Sequence, residues 1–242
     1  MSELNKVLLA KTDAKANDDN IILSNNVRVA VLTATMIRVE FSANGKFTDL
    51  PSQSIWYRDF GKVDFVTEEN ADTLTVKTDK AEIYVNSHTG SFKYAVFDGN
   101  KLTYNSSNNL KGTTRTLDQT YGPKELDDGI ISTDGVSTYD DSKTLLLNDD
   151  GTLSSREDGT KDIYVFVYGK DYVAGINNFY KITGMPPLVP RYTLGNWWSR
   201  YRAYTQKEYE DLMGEFFRRD IPLTIATVDM DWHWVDLKKQ FN

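Results

Sequence analysis

The feature that most constrains the fold is a change in the spacing of apolar residues along the chain. Over about residues 21–168, apolar and polar residues alternate in short segments such as Ala81–Asn86. A period of two is typical of half-buried β-strands. Turns such as Asn44-Gly45 and Asp98-Gly99 separate the segments, and glycine adopts the positive φ values that close hairpins at little cost. The pattern predicts a mainly β fold built as an antiparallel β-sandwich.

The alternation ends in a helical segment that is followed by prolines. Asp171 is a suitable N-cap and Gly184 a suitable C-terminal stop. The apolar residues between them fall on one helical stripe: Val173, Ile176, Phe179 and Tyr180. Residues 185–190 contain three prolines and cannot continue the helix. We therefore predict a sandwich domain over residues 1–184, which this helix closes, and a second domain over residues 185–242.

The second domain has the pattern of a strand, a helix and a strand. We predict the first strand over residues 192–198. Thr205 and Glu208 have the spacing of a capping box, in which each side chain accepts a hydrogen bond from the other residue's backbone N–H. The predicted helix has an apolar stripe made of Tyr209, Leu212, Met213, Phe216 and Phe217. A second strand over residues 223–228, buried along its length, indicates one parallel β-α-β unit.

Composition and charge exclude several classes of protein. The chain has 28 basic and 35 acidic residues, a net charge of −7 and no basic run that could neutralise phosphates, so we expect no nucleic-acid partner. No stretch approaches the roughly 18 apolar residues that span a bilayer, and residues 1–20 lack the apolar core of a signal peptide. The absence of cysteine excludes disulfides and fits a reducing compartment. We expect a cytoplasmic protein without membrane contact.

The densest cluster of candidate functional side chains follows the second predicted parallel strand. Functional residues of parallel sheets lie at the carboxyl ends of strands, which is where Asp229 and Asp231 occur. Residues at i and i+2 share a face, so the two carboxylates resemble the acid pair of a retaining glycosidase in their separation. In the alternative interpretation, one carboxylate caps the next turn and the other is solvated. The local pattern does not decide between the two.

Aromatic residues and a histidine surround this acidic pair. Trp197, Trp198, Trp232 and Trp234 are four of the five tryptophans and fall within the last 46 residues. Indole rings stack against the apolar faces of sugars, although some of these rings could equally fill the layer between two domains. His233 has no second histidine, cysteine or carboxylate triad beside it, so we expect no metal site. The chain has no phosphate-binding glycine motif, and we expect no cofactor.

Four segments of the chain resemble glycoside hydrolase family 31. They are residues 37–42 (IRVEFS), 112–118 (GTTRTLD), 184–201 (GMPPLVPRYTLGNWWSRY) and 228–233 (VDMDWH). The resemblance runs over nearly the whole chain from Val27 onward and corresponds to the N-terminal portion of the α-glucosidase-like members. It implies a galactose-mutarotase-like β-sandwich followed by the first β-α-β unit of a (β/α)8 barrel.

The resemblance also implies roles for individual residues. It places Asp229 against hydroxyls of the sugar in the −1 subsite, Met230 in the wall beside it, and Tyr201 in the aromatic lining of the same pocket. Trp232 and His233 lie in the same matched segment and are further expected sugar-binding residues. By this resemblance, Asp229 and Asp231 are binding and architectural groups, and the catalytic pair lies elsewhere.

The long polar segment over residues 105–142 resembles the loop that the family extends from the sandwich over the barrel mouth. Asp134 within it matches a sugar-binding aspartate, but Thr133 stands where the family usually has an arginine. The resemblance places the nucleophile and the acid/base on later barrel strands beyond Asn242, so no catalytic residue is expected in this chain.

The resemblance implies a retaining glycoside hydrolase that acts on α-glucosides, in which the sandwich supports and caps the barrel active site. The expected partners are an α-linked glucose-containing oligosaccharide and the remainder of the barrel, in cis or in trans. The 242 residues alone are expected to be inactive. The alternatives are a non-catalytic carbohydrate-binding or assembly module, and an α-xylosidase or other α-glycosidase of the same family.

Overall fold

A computed structural model of the chain describes residues 9–114 and 116–229. The chain divides into two compact units, Met1–Met185 and Pro186–Asn242. The first unit contains β1 (Ile21–Ser24), β2 (Val27–Thr33), β3 (Met36–Phe41), β4 (Val66–Asn70), β5 (Thr73–Lys77), β6 (Ala81–Asn86), β7 (Phe92–Phe97), β8 (Asn100–Leu102), β9 (Val136–Asp140), β10 (Leu146–Leu147), β11 (Leu153–Ser154), β12 (Lys161–Val167) and α1 (Tyr172–Thr183). The second unit contains β13 (Trp197–Trp198), α2 (Gln206–Arg218) and β14 (Ile225–Ala226).

Two five-stranded antiparallel sheets form the first unit. Their strand orders are β1-β2-β3-β12-β9 and β4-β5-β6-β7-β8. Alternation fixes which side of each strand is buried: in β6, Ala81, Ile83 and Val85 are buried and the residues between them are half-buried. These side chains pack with Val29, Val39 and other residues of the first sheet in one apolar core. The predicted antiparallel sandwich and mainly β fold are confirmed.

Helix α1 covers the other face of the first sheet. The Asp171 carboxylate accepts a hydrogen bond from Ala174 N at 3.0 Å, and Gly184 ends the helix with φ of 90°, a value that glycine adopts without strain. Ile182 is fully buried in a second apolar cluster with Phe166 of β12. The predicted caps are confirmed, but Val173 is 66% exposed, so the buried stripe does not include it.

A network of buried charges crosses the first sheet. The Arg38 guanidinium donates to both oxygens of Asp162 at 2.8 Å, and it also lies 3.0 Å from Glu40. Arg156 contacts Asp162 at 3.0 Å and Asp141 at 2.7 Å. Burial alone would raise the pKa of Asp162, but the charge and hydrogen bonds of Arg38 outweigh it and hold that pKa well below its usual range.

Asp141, the other buried carboxylate that contacts Arg156, has a pKa shifted in the opposite direction to that of Asp162. Burial raises the pKa of Asp141 despite its contacts with Thr144 and Arg156. A group with a lowered folded pKa contributes stability that is complete above its unfolded pKa and is lost as the pH falls through the folded pKa. Asp162 therefore stabilises the fold above about pH 4, the ordinary aspartate value, and Asp141 has the opposite dependence.

We expect the Asp162→Asn variant to lose less of its unfolding free energy than the wild type between pH 6 and pH 2.5. The asparagine cannot titrate, so the stabilisation that acid removes from Asp162 is already missing in the variant. Urea unfolding at a series of pH values measures the difference. Parallel pH profiles for the two proteins would show that Asp162 is not held ionised by its arginines.

The second unit is a parallel β-α-β unit. Strands β13 and β14 pair in parallel, with Trp197 opposite Ile225. The predicted capping box at the start of α2 is confirmed: Thr205 Oγ1 accepts from Glu208 N at 3.3 Å, and the Glu208 carboxylate accepts from Thr205 N at 2.8 Å. Helix α2 packs on β13 through Phe216, whose ring centroid lies 5.0 Å from that of Trp198.

Three details of the second unit differ from the sequence-based expectation. The second strand was predicted over residues 223–228 and buried along its length, but β14 covers only Ile225–Ala226, of which one residue is half-buried and the other exposed. The first strand does not begin at residue 192, because Arg191–Leu194 forms a 3-10 helix in which Thr193 N donates to Pro190 O at 2.9 Å. That turn leaves only Trp197–Trp198 extended. Phe217 was predicted to lie on the apolar stripe of α2 but is 85% exposed in this unit.

Candidate functional site

The candidate site lies at the carboxyl ends of β13 and β14. A pocket of about 400 Å³ opens there. It is lined by the loop after β13, by the start of α2 and by the residues after β14: Arg200, Arg202, Tyr204, Thr205, Gln206, Tyr209, Glu210, Thr227, Val228 and Asp229. A parallel unit brings these segments together because each loop leaves its strand at the same edge of the sheet. The pocket therefore occupies the edge at which barrel enzymes bind their substrates.

Aromatic contacts join the segments that line the pocket. The Arg202 guanidinium lies over the Tyr204 ring, 5.4 Å from its centroid. The rings of Tyr204 and Tyr209 meet edge to face at 5.4 Å. The Tyr209 hydroxyl donates to Thr227 O at 2.7 Å, and burial raises the pKa of this phenol. The pocket wall is thus continuous from the loop after β13 to the end of β14.

The structure places two of the predicted site residues at this edge. Asp229 is half-buried and lines the pocket three residues after β14. Tyr201 lies in the loop after β13 and is 66% exposed; its sequence neighbours Arg200 and Arg202 line the pocket. Met230, Trp232 and His233 lie outside the described residues, as does Asp231.

Asp134 belongs to the first unit, where it holds the start of the long loop. One carboxylate oxygen accepts from Asn105 N at 2.7 Å, and the other accepts from the Asn108 side-chain amide at 2.7 Å. The next residue, Gly135, has φ of 77°, and a Cβ there would lie 2.6 Å from Gly169 O. These contacts give Asp134 a structural role at the base of the loop. Its sugar contact stays a prediction.

The loop itself is more ordered than its composition indicates. Leu110 N donates to Ile131 O at 2.8 Å, and Gly112 N donates to Asp127 O at 2.8 Å, so two chain segments run side by side as an arm. Tyr121 near the tip of the arm is 97% exposed. The arm therefore projects from the first unit and presents an aromatic side chain.

Other kinds of site receive no support from the described residues. Within residues 9–114 and 116–229, no group of three histidine, cysteine, aspartate or glutamate residues could hold a metal ion. His88 lies in an exposed hairpin turn, where its backbone N–H donates to the Asn86 side chain at 3.0 Å. Neither α1 nor α2, the two α-helices in the described part of the chain, has the length and apolar character needed to cross a membrane.

Comparisons with known proteins agree on one family. Residues 186–242 match the model of the glycosyl hydrolases family 31 TIM-barrel domain. An α-xylosidase of Saccharolobus solfataricus is 31% identical over 149 residues, which cover 56% of this chain and 19% of that protein. α-Glucosidase 2 of Bacillus thermoamyloliquefaciens is 30% identical over 96 residues, which cover 40% of this chain and 12% of that protein. By these comparisons the chain is similar to members of glycoside hydrolase family 31, whose barrel-domain model matches its residues 186–242.

Solved structures of family 31 enzymes share the fold of this chain. A dextranase of Flavobacterium johnsoniae, solved with isomaltotriose, aligns over 86% of this chain and 32% of its own with a TM-score of 0.59 and 18% identity. A soil-metagenome α-xylosidase, solved with xylose, aligns over 94% of this chain and 42% of its own with a TM-score of 0.56 and 12% identity. This chain spans less than a fifth of the curated relatives' length.

Sequence reasoning missed several residues of the candidate site. Tyr209 was assigned only to the apolar stripe of α2, and Tyr204, Arg200 and Arg202 received no site role, although all four line the pocket. A signal for Tyr209 was present in its position. In a β-α-β unit the helix begins at the carboxyl edge of the sheet, so a residue in the first turn after the capping box lies near the substrate edge.

Proposed function

We propose that this chain is the N-terminal part of a retaining glycoside hydrolase that acts on α-glucosides. Residues 1–184 are its sandwich domain, and residues 185–242 begin its catalytic (β/α)8 barrel. The observation that carries the proposal is the position of Asp229 three residues after the second parallel strand, in the pocket wall and within the segment that matches the family 31 barrel. The cysteine-free sequence supports a cytoplasmic location.

The site is suited to holding a sugar. A carboxylate accepts hydrogen bonds from hydroxyl groups, and charge-assisted bonds of this kind are stronger than neutral ones. Asp229 supplies such an acceptor, and Tyr201 supplies an aromatic face for the ring. Met230, Trp232 and His233 extend this site in our proposal, and Asp134 is a further expected sugar-binding residue.

The catalytic groups lie on later strands of the barrel in this proposal. Retention requires two carboxyl groups about 5–5.5 Å apart that act on opposite sides of the anomeric carbon. Asp229 and Asp231 are two positions apart in the sequence, and residues at i and i+2 of an extended segment share a face, so we expect both to approach the sugar from one side. One such pair cannot attack the anomeric carbon and also protonate the leaving group.

The substrate class has one competing assignment. The α-xylosidase among the relatives favours α-xylosides as the alternative to α-glucosides. The two sugars differ by one hydroxymethyl group, which a pocket distinguishes through the space at C5. Rates with 4-nitrophenyl α-D-glucopyranoside and the corresponding xylopyranoside, measured on the protein with its complete barrel, decide between them. A higher kcat/KM for the xyloside would overturn the glucoside assignment.

We expect the purified 242-residue chain to show no turnover of 4-nitrophenyl α-D-glucopyranoside, because the proposal places the nucleophile and the acid/base on later barrel strands. Release of 4-nitrophenolate is followed at 400 nm, with the uncatalysed rate as the baseline. Turnover that disappears in Asp229→Asn would assign catalysis to this strand end and would contradict the proposal.

A further inference from the structure

Two proposed sugar-binding residues in the described part of the second unit lie on different loops. Tyr201 follows β13 and Asp229 follows β14, and the first turns of α2 lie between those loops in the chain. A carboxylate and an aromatic ring bind one sugar only when their separation is held within a fraction of an ångström. The unit therefore needs a contact that fixes one loop relative to the other.

Tyr209 makes contacts toward both loops. On one side its ring meets Tyr204 edge to face at 5.4 Å, and Tyr204 belongs to the loop that carries Tyr201. On the other side its hydroxyl donates to Thr227 O at 2.7 Å, two residues before Asp229. One side chain on α2 thus reaches the carboxyl ends of both strands.

The surroundings of Tyr209 hold it in this position. The capping box between Thr205 and Glu208 fixes the helix start immediately before it. The Arg202 guanidinium lies over the Tyr204 ring and gives that ring a cation–π contact besides its contact with Tyr209. Thr227 N donates to Trp198 O at 2.9 Å, so the carbonyl that accepts the Tyr209 hydroxyl belongs to a residue fixed in the sheet.

We propose that Tyr209 is a positioning residue of the sugar site, which sets the placement of Asp229 through its hydroxyl and the placement of the Tyr201 loop through its ring. It touches neither sugar nor reacting atoms in this assignment. The role rests on the proposed sugar-binding function of Asp229. The contacts of Tyr209 with Tyr204 and Thr227 do not depend on that function.

The hydroxyl and ring of Tyr209 can be separated by two substitutions. Tyr209→Phe removes the hydrogen bond to Thr227 and keeps the ring against Tyr204. Tyr209→Leu removes both contacts. Tyr192→Phe is the matched control, because Tyr192 belongs to the same unit, is 59% exposed and does not line the pocket.

Amide hydrogen exchange of the 242-residue chain, read residue by residue by NMR, tests the positioning role directly. In Tyr209→Phe we expect exchange at Thr227–Asp229 to rise about fivefold, the factor for one neutral hydrogen bond, with the amides of α2 unchanged. The ring protons of Tyr204 should shift only in Tyr209→Leu, since only that variant removes the neighbouring aromatic ring. Exchange at residues 227–229 that matches the wild type and Tyr192→Phe would overturn the proposal.

A titration with methyl α-D-glucopyranoside separates this inference from the function on which it rests. We expect the sugar-induced shift of the Asp229 amide to require about fivefold more sugar in Tyr209→Phe and the same concentration in Tyr192→Phe. A sugar response unchanged in Tyr209→Phe would overturn the positioning role. Absence of any response in the wild type would overturn sugar binding by this chain, while hydrogen exchange would still decide whether Tyr209 fixes the two strand ends.

Discussion

Arg38→Met is expected to lower the free energy of unfolding of the sandwich by about 3–5 kcal/mol, the usual cost of removing one partner from a buried ion pair. Arg38 is 1% exposed and makes two hydrogen bonds with Asp162 at 2.8 Å. Methionine fills much of the same volume, but it leaves part of the negative charge of Asp162 and Glu40 without compensation. Arg156 and Arg28 still contact those carboxylates, at 3.0 Å and 2.6 Å respectively, and prevent a larger loss.

Thermal unfolding followed by circular dichroism measures this effect, and a fall in Tm of about 6–20 °C corresponds to the expected loss. Lys62→Met is the matched control, since Lys62 and its partner Asp19 are 66% and 64% exposed. Exposed pairs contribute little, so the control should melt with the wild type. Equal Tm values for Arg38→Met and Lys62→Met would show that the buried ion pairs of Arg38 do not stabilise the sandwich.

Asp229→Ala is expected to lower kcat/KM for an aryl α-glucoside about ten- to hundredfold in the protein that joins this chain to its complete barrel, which corresponds to about 1.5–3 kcal/mol for a charged hydrogen bond. The sugar hydroxyls that would donate hydrogen bonds to this carboxylate are left unpaired in the pocket when it is removed. Steady-state kinetics give the size of the loss. Tyr201→Ala should cost less, because neighbouring side chains partly replace its contact area.

The control for Asp229→Ala is Asp211→Ala. Asp211 is an exposed residue of α2 that forms an ion pair with Lys207 at 2.8 Å, and it does not line the pocket. Both variants should retain the circular dichroism spectrum of the wild type. Wild-type kinetics in a folded Asp229→Ala protein would limit Asp229 to a structural role.

The parts of the fold that depend on neighbouring residues could be predicted from the sequence. The alternation in β6 and the capping box between Thr205 and Glu208 involve residues at most a few positions apart, and their patterns specify one local structure. The 3-10 helix at Arg191–Leu194 was missed because its apolar residues have the same composition as a strand. The hydrogen bonds from Thr193 N to Pro190 O and from Gly195 N to Tyr192 O distinguish the two.

Long-range contacts explain what the sequence could not reveal. Arg38 and Asp162 are separated by 124 positions, and nothing in either segment indicates that the two side chains meet. Tyr209 occupies an apolar position of a helix stripe. The role of its hydroxyl, which donates to Thr227 O, becomes visible only in the folded structure. The position of Asp229 in the pocket could be predicted because the sequence places it after a predicted parallel strand, which specifies the edge of the sheet.

The central claim, that this chain supplies the sugar-binding strand ends of a retaining α-glycosidase, is tested most directly by the stereochemistry of hydrolysis. The protein that joins this chain to its complete barrel is mixed with 4-nitrophenyl α-D-glucopyranoside, and proton NMR follows the anomeric signals of released glucose from the first minutes. The account predicts that α-glucose appears first and that Asp229→Asn slows its appearance at least about tenfold. β-Glucose as the first product, or hydrolysis at the wild-type rate in Asp229→Asn, would contradict it.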